Sequence, residues 1–131
     1  MYFSDLGNQS STKNQLIDLF KQSRVPHAIL LSGASGCGHL QLALSFSALL
    51  LCETPNENDA CKSCSSCVKY EKLQHPDLHL SFPIHLSKAE HLEISDDMRE
   101  LFVSSLDKFK CIGKKTWYST MGNENKQGVI G

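Results

Sequence analysis

The sequence has little net charge and no long hydrophobic run, and both absences exclude classes of protein. Its 131 residues include 13 lysines and arginines and 14 acidic residues, giving a formal net charge of −1. This balance provides no overall field that would draw the chain onto nucleic acid or an anionic membrane. The longest apolar stretch, residues 42–51, is interrupted by Ser45 and Ser47 and is too short to span a bilayer. Any contact with DNA therefore has to be local or made through partners.

The beginning of the sequence lacks the features of a secretory signal. Met1–Asp5 has no basic residue, and no apolar run precedes a small-residue cleavage site. We therefore expect a cytoplasmic protein without membrane contact. In that reducing compartment the six cysteines are interpreted as metal ligands or buried thiols rather than disulfides. The proportions of 40% hydrophobic and 21% charged residues are typical of a globular domain.

Hydrophobic spacing predicts an alternation of helices and strands. The segment 38–52 is apolar on nearly every side, which predicts a helix buried in the protein interior. Short apolar or alternating runs predict strands at residues 27–31 and 78–82. The remaining predicted helices are 11–22, ended by Val25-Pro26, then 68–73, and one that begins at Ser95-Asp96-Asp97 and continues to Phe109.

A glycine loop lies between the first predicted strand and the buried helix. Residues 33–40 read Gly-Ala-Ser-Gly-Cys-Gly-His-Leu, with Gly33 and Gly38 at the glycine positions of a nucleotide-binding P-loop and Gly36 between them. The motif requires a lysine for the phosphates and a serine or threonine for Mg²⁺, but His39 and Leu40 occupy those positions. The loop is interpreted as a degenerate P-loop. At most it would bind an anion or nucleotide weakly through backbone N–H groups, and ATP is not expected as a cofactor.

Four cysteines are clustered after the buried helix with the spacing C-x8-C-x2-C-x2-C, at Cys52, Cys61, Cys64 and Cys67. Four thiolates can close a tetrahedral shell around Zn²⁺, and a closed shell is structural rather than catalytic. The pattern therefore predicts a structural zinc module over residues 52–67. Four reduced thiols without metal, an iron–sulfur cluster and a thioredoxin-like redox pair are the alternatives. No grouping of residues in the sequence indicates a catalytic nucleophile or an acid/base pair.

The order and spacing of these features resemble a known family. Phe3-Ser4-Asp5-Leu6-Gly7-Asn8-Gln9, then residues 25–33, the glycine loop, the four cysteines and His75-Pro76-Asp77-Leu78 follow one another as in bacterial DNA polymerase III clamp-loader subunits. These subunits are members of the AAA+ superfamily. The resemblance implies an α/β, three-layer P-loop core with an inserted zinc knuckle. It also implies that residues 1–131 are the N-terminal part of the AAA+ domain, without the lid and collar domains.

Within that family, His39 and Leu40 resemble the delta-prime type of subunit rather than the ATP-hydrolysing gamma/tau type. The resemblance implies a non-catalytic stator that supports ATP-dependent loading of the sliding clamp onto primed DNA, with gamma/tau and delta subunits as partners. In the family, the arginine finger of the delta-prime subunit lies in a Ser-Arg-Cys motif, which this sequence does not contain. An active gamma/tau-type ATPase and a stand-alone zinc or redox module are the competing hypotheses. Because the two predicted strands are not neighbours in the family's sheet, we expect rearranged strand pairing or association between chains.

Overall fold

In the part of the chain that it describes, the computed structural model is built from helices. Residues 1–7, 10–34, 36–83, 99–109 and 119 are described. The elements are a 3-10 helix at Phe3–Asp5, α1 (Ser10–Lys21), α2 (His39–Leu51), α3 (Ser65–Glu71) and α4 (Arg99–Phe109). The chain forms two compact units, Met1–Leu78 and His79–Gly131. Within the described ranges, no helix has the length and hydrophobicity needed to cross a membrane.

Helix α2 is the centre of the first unit. It packs against α1, α3 and the 3-10 helix, which accounts for the apolar residues on nearly every side of its sequence. The prediction of a buried helix here is confirmed, with the helix at His39–Leu51 rather than 38–52. Apolar side chains of α2 pack with those of α1 and the 3-10 helix in one hydrophobic core, whose buried members are Phe3, Leu16, Ile17, Leu42, Phe46 and Leu49. The glycine loop precedes α2 and the first cysteine of the cluster follows it, so the two candidate sites lie at opposite ends of this helix.

Helix α1 contributes one face to this core. Leu16 and Ile17 are buried, while Leu19 and Phe20 are partly buried against the same cluster. The predicted helix is confirmed, but it ends before Pro26 is reached. Ser23 adopts a left-handed conformation with φ +52°, and the N–H of Arg24 donates to the Leu19 carbonyl at 3.0 Å. This turn satisfies a terminal carbonyl of the helix and ends it.

Helix α3 differs from its predicted bounds at both ends, since it ends at Glu71 rather than residue 73, and helix α4 is described from Arg99 onward. Helix α3 begins at Ser65 rather than residue 68, because the Cys64 sulfur accepts the N–H of Cys67 and caps the first turn. Helix α4 buries Phe102 and Ser105. In this second unit the Phe102 ring stacks on Phe82 with centroids 4.0 Å apart. The predicted cap at residues 95–97 lies outside the described residues.

The two predicted strands are not formed in the described residues. Residues 27–31 and 78–82 have no strand pairing, so the α/β core expected from the sequence is not seen there. Leu30 is 89% exposed and Ile29 is 39% exposed, although both belong to the apolar run that predicted a buried strand. A strand needs a neighbour to satisfy its N–H and C=O groups, and no described segment is paired with this one. The composition of the run is suited to a sheet, but none of the described residues forms a strand beside it.

Candidate metal centre and glycine loop

The structure brings the four clustered cysteines together at the end of α2. Cys52 directly follows α2, Cys61 lies in the connecting loop, Cys64 caps α3, and Cys67 is buried in its first turn. The four sulfur atoms all lie within 4.8 Å of one another. One short loop and one helix N-terminus therefore supply the whole group.

The distances between the sulfurs fit a tetrahedral metal shell. The Cys52 and Cys64 sulfurs are 4.0 Å apart, and those of Cys61 and Cys67 are 3.9 Å apart. Metal–sulfur bonds of about 2.3 Å at tetrahedral angles place neighbouring sulfurs roughly 3.8 Å apart. A disulfide would need about 2.05 Å, and all four cysteines are free. The cluster could therefore hold a metal ion with these four sulfurs as its ligands.

The backbone N–H of each later cysteine in the cluster donates a hydrogen bond to the sulfur of the cysteine before it. The Cys61 N–H donates to the Cys52 sulfur at 3.2 Å, the Cys64 N–H to Cys61 at 3.3 Å, and the Cys67 N–H to Cys64 at 3.4 Å. Lys62 makes the turn between the first two of these bonds possible by adopting φ +67°. Hydrogen bonds to the charged form of a thiol favour the thiolate, which is the form that binds metals.

The cysteines have unequal pKa values in the metal-free chain. Hydrogen bonds from the Thr54 side chain and then from backbone N–H groups lower the pKa of Cys61 to about 5. The Cys67 N–H lowers the pKa of Cys64. Burial raises the pKa of Cys52 and of Cys67. Cys61 and Cys64 therefore carry negative charge most readily, which is suited to attracting a cation into the group.

The loop of the cluster is tied to the N-terminal segment. The Asp59 carboxylate accepts the N–H groups of Phe3 at 3.2 Å and Ser4 at 2.9 Å. The Lys62 ammonium donates to the Ser4 hydroxyl at 2.7 Å and lies 4.8 Å from the centre of the Tyr2 ring. Because Phe3 is fully buried in the core of the first unit, these contacts join the cysteine loop to that core.

Two buried tyrosines beside the cluster predict a loss of stability in alkali. Burial, and next the negative charge of Glu71, raises the pKa of Tyr2 to about 12. Burial also raises the pKa of Tyr70, whose hydroxyl donates to the Leu44 carbonyl at 2.5 Å. A pKa raised by folding adds stability that is complete below the unfolded value of about 10 and is lost as the pH rises. We therefore expect the free energy of unfolding to fall above about pH 10.

Urea unfolding between about pH 8 and pH 11 measures this fall, with Tyr70→Phe as the matched variant. The variant has lost the hydrogen bond and is less stable by about 1 kcal/mol at neutral pH. Its stability should decline less steeply with pH, since one titrating group is gone. An identical decline in both proteins would contradict the assignment to Tyr70.

Two glycines of the glycine loop adopt left-handed backbone conformations, but the loop has neither the lysine nor the hydroxyl side chain of the P-loop motif. Gly36 and Gly38 adopt φ +84° and +81°, and Gly38 is the N-cap of α2. The Cys37 sulfur lies 3.2 Å from Nδ1 of His39, and it would lie only 2.5 Å from a Cβ added at Gly33. Gly33 therefore has to be glycine for the cysteine to occupy this position. Binding of a nucleotide or anion by Gly33, Gly36, Gly38 and His39 stays a prediction.

Several polar residues of the site were not identified from the sequence. Asp59 and Lys62 contact a segment more than 50 residues away, and Glu53 gathers hydrogen-bond donors from Ser65 and Ser66. For Glu53, the sequence offers one hint: a carboxylate close to a helix start with two serines can accept hydrogen bonds from them. No spacing rule connects Asp59 to the N-terminal segment, because that contact depends on the folded path of the chain.

Comparison with known proteins gives the family. The family model described as "DNA polymerase III, delta subunit" matches residues 8–126. The "DNA polymerase III subunit delta'" of Bacillus subtilis (strain 168) is 31% identical over 99 residues, which are 74% of this chain and 30% of that protein. The chain thus spans about 30% of the length of this relative. No solved structure matches the chain. Because the family model extends over most of the sequence, the chain belongs to the DNA polymerase III delta subunit family.

Proposed function

We propose that this chain acts as a non-catalytic stator subunit of the bacterial replicative clamp loader. In this role it supports ATP-dependent loading of the sliding clamp onto primed DNA, with gamma/tau and delta subunits as its partners and a cytoplasmic location. The clamp and the DNA are contacted through the complex. Family membership supports the setting in DNA replication. The near-neutral net charge is in keeping with DNA contacts made by the assembly rather than by this chain alone.

The glycine loop is the observation that carries the non-catalytic role. His39 is exposed and its Nδ1 lies against the Cys37 sulfur, whereas the P-loop lysine extends to the β- and γ-phosphates. Leu40 has no oxygen with which to hold Mg²⁺. The helix and the glycine conformations are present without the two side chains that hydrolysis needs. The loop is therefore proposed to be a retained scaffold without intrinsic ATPase activity.

The four-cysteine cluster is proposed to hold one structural Zn²⁺, with Cys52, Cys61, Cys64 and Cys67 as its ligands. A set of four thiolates leaves no coordination position open for a substrate, and zinc in such a set is structural. The sulfur–sulfur distances of 3.9 and 4.0 Å support this donor set. An iron–sulfur cluster is the competing metal group. Absorption in the visible region would identify it, since Zn²⁺ has no such absorption.

The α/β P-loop core is also proposed rather than seen. The exposed apolar side chains of Ile29 and Leu30 support it, because they occupy the run that would be buried in a sheet. By the family resemblance, residues 1–131 would form the N-terminal part of the AAA+ domain, with residues 52–67 as its inserted zinc module.

A nucleotide titration together with a binding assay tests the proposed role. We expect no ATP turnover by the chain, and His39→Ala should leave that result unchanged because His39 has no catalytic part. A gamma/tau subunit, which keeps the lysine, is the positive control. Immobilised gamma/tau and delta subunits should retain the chain.

Two outcomes would favour the competing hypotheses. ATP hydrolysis that disappears in His39→Ala would indicate an active gamma/tau-type ATPase. Thiol–disulfide exchange activity that requires Cys61 and Cys64, with no retention by clamp-loader subunits, would indicate a stand-alone zinc or redox module.

A further inference from the structure

The Glu53 carboxylate collects three hydrogen bonds at the start of α3. Its Oε1 atom accepts the Ser65 hydroxyl at 2.8 Å, the Ser66 N–H at 3.2 Å and the Ser66 hydroxyl at 3.0 Å. One oxygen therefore satisfies a free backbone N–H of the first helical turn and fixes two side chains. Glu53 is exposed, so water could solvate its carboxylate without any hydrogen bond from the protein. Its three hydrogen bonds matter because they hold Ser65 and Ser66 in place.

His75 extends this group of hydrogen bonds into the interior. Its ring is 92% buried, with an exposed fraction of 8%, and its Nδ1 atom accepts the Asp77 N–H at 3.2 Å. The ring proton of the neutral histidine therefore lies on Nε2, which is 3.2 Å from the Ser66 hydroxyl oxygen. Nε2 donates to Ser66, and Ser66 in turn donates to Glu53. The direction of both hydrogen bonds is fixed by the Asp77 backbone.

These contacts connect the two ends of the cysteine cluster. Glu53 follows Cys52, the ligand supplied by the end of α2, and Ser66 lies between Cys64 and Cys67, the ligands supplied by α3. The Glu53–Ser66 hydrogen bonds therefore join the residue next to Cys52 to the turn that carries Cys64 and Cys67. Residues outside the ligand shell that orient ligands in this way typically change metal affinity about 10–100-fold when they are removed.

We propose that Glu53 is a positioning residue of the metal centre, which holds Cys52 against the Cys64–Cys67 turn through Ser66 and the buried His75. The inference rests on the proposed zinc site. Oε1 alone accepts all three hydrogen bonds, and such bonds are stronger to a carboxylate than to a neutral oxygen. A neutral side chain with an oxygen at the same place should therefore replace Glu53 in part.

Metal competition with a chromophoric chelator tests the proposal, with the whole chain and Zn²⁺ as the probe. Glu53→Ala should lower zinc affinity about 10–100-fold, while Glu53→Gln, which keeps one oxygen acceptor, should lose clearly less. Glu57→Ala is the control, since Glu57 is an exposed carboxylate of the same segment. The ligand-field spectrum of the Co²⁺-loaded protein gives a second measurement. Its bands should shift in Glu53→Ala at saturating Co²⁺, shift less in Glu53→Gln and stay in place in Glu57→Ala.

The outcomes separate this inference from the proposed zinc site. Unchanged affinity and an unchanged Co²⁺ spectrum in Glu53→Ala would overturn it, and so would equal losses in Glu53→Gln or Glu57→Ala. If Glu53→Ala loses helix content even with saturating metal, Ser66→Ala decides, because it removes the hydroxyl contacts and keeps the N–H. That variant should show a smaller loss of affinity, and unchanged binding would overturn the inference. If the unsubstituted chain binds no Zn²⁺, the zinc site itself is overturned.

Discussion

Replacing Cys67 with serine should lower zinc binding by roughly a hundredfold or more, while the same replacement at Cys37 should leave it intact. Structural zinc sites have apparent binding free energies of about 10–16 kcal/mol, so an equal share for each of four ligands is about 3 kcal/mol. Serine does not supply a thiolate. Cys37 is the matched control, because its sulfur lies beside His39 in the glycine loop and outside the cluster.

The metal content of the purified variants and chelator competition measure this difference. Helix content should fall with zinc content in Cys67→Ser, since α3 has only 7 residues and helices of that length are not stable alone in water. Removal of zinc from the unsubstituted chain should likewise expose the amides of residues 61–74 to hydrogen exchange. Equal zinc content in both variants would contradict the four-cysteine assignment.

Replacing Phe3 with alanine should destabilise the first unit by about 3–5 kcal/mol, which is the usual cost of deleting a fully buried phenylalanine. Phe3 has an exposed fraction of 0% and lies in the core with Leu16, Ile17, Leu42, Phe46 and Leu49. Phe20→Ala is the matched control, because Phe20 packs against the same core but is only partly buried. Its loss should be clearly smaller.

Urea unfolding followed by circular dichroism checks the comparison. The Phe3 variant should also loosen the cysteine loop, since the Phe3 and Ser4 N–H groups are the donors to Asp59. Faster hydrogen exchange near residues 59–62 would report that effect. If Phe3→Ala were no more destabilising than Phe20→Ala, the place of Phe3 at the centre of this core would be wrong.

The features that could be predicted from the sequence are those that depend on local spacing. The apolar residues around α2 predicted its burial, and the gaps between cysteines were short enough to predict that Cys61, Cys64 and Cys67 would converge. The 3.6-residue period of α1 placed Leu16 and Ile17 on the buried face. In each case the pattern that carries the prediction lies within a short stretch of the sequence.

The features that were missed depend on partners distant in sequence or absent from the described residues. A strand at residues 27–31 was inferred from composition, but composition does not supply a neighbouring strand. The start of α3 was misplaced because a cysteine sulfur caps it, and cysteine is not among the usual capping residues. Asp59 binds backbone N–H groups 55 and 56 positions away, so no local pattern reveals it.

The tie between Asp59, Lys62 and the first residues has a practical consequence for labelling. A fluorophore attached at residue 1 would lie next to Tyr2, whose ring is 4.8 Å from the Lys62 ammonium and 6.1 Å from the ring of Tyr70. Lys62 lies between Cys61 and Cys64 in the sequence, so binding of a metal at the proposed site would alter the surroundings of the dye. The amino terminus would then serve as an optical sensor of metal loading, read without substituting any cysteine.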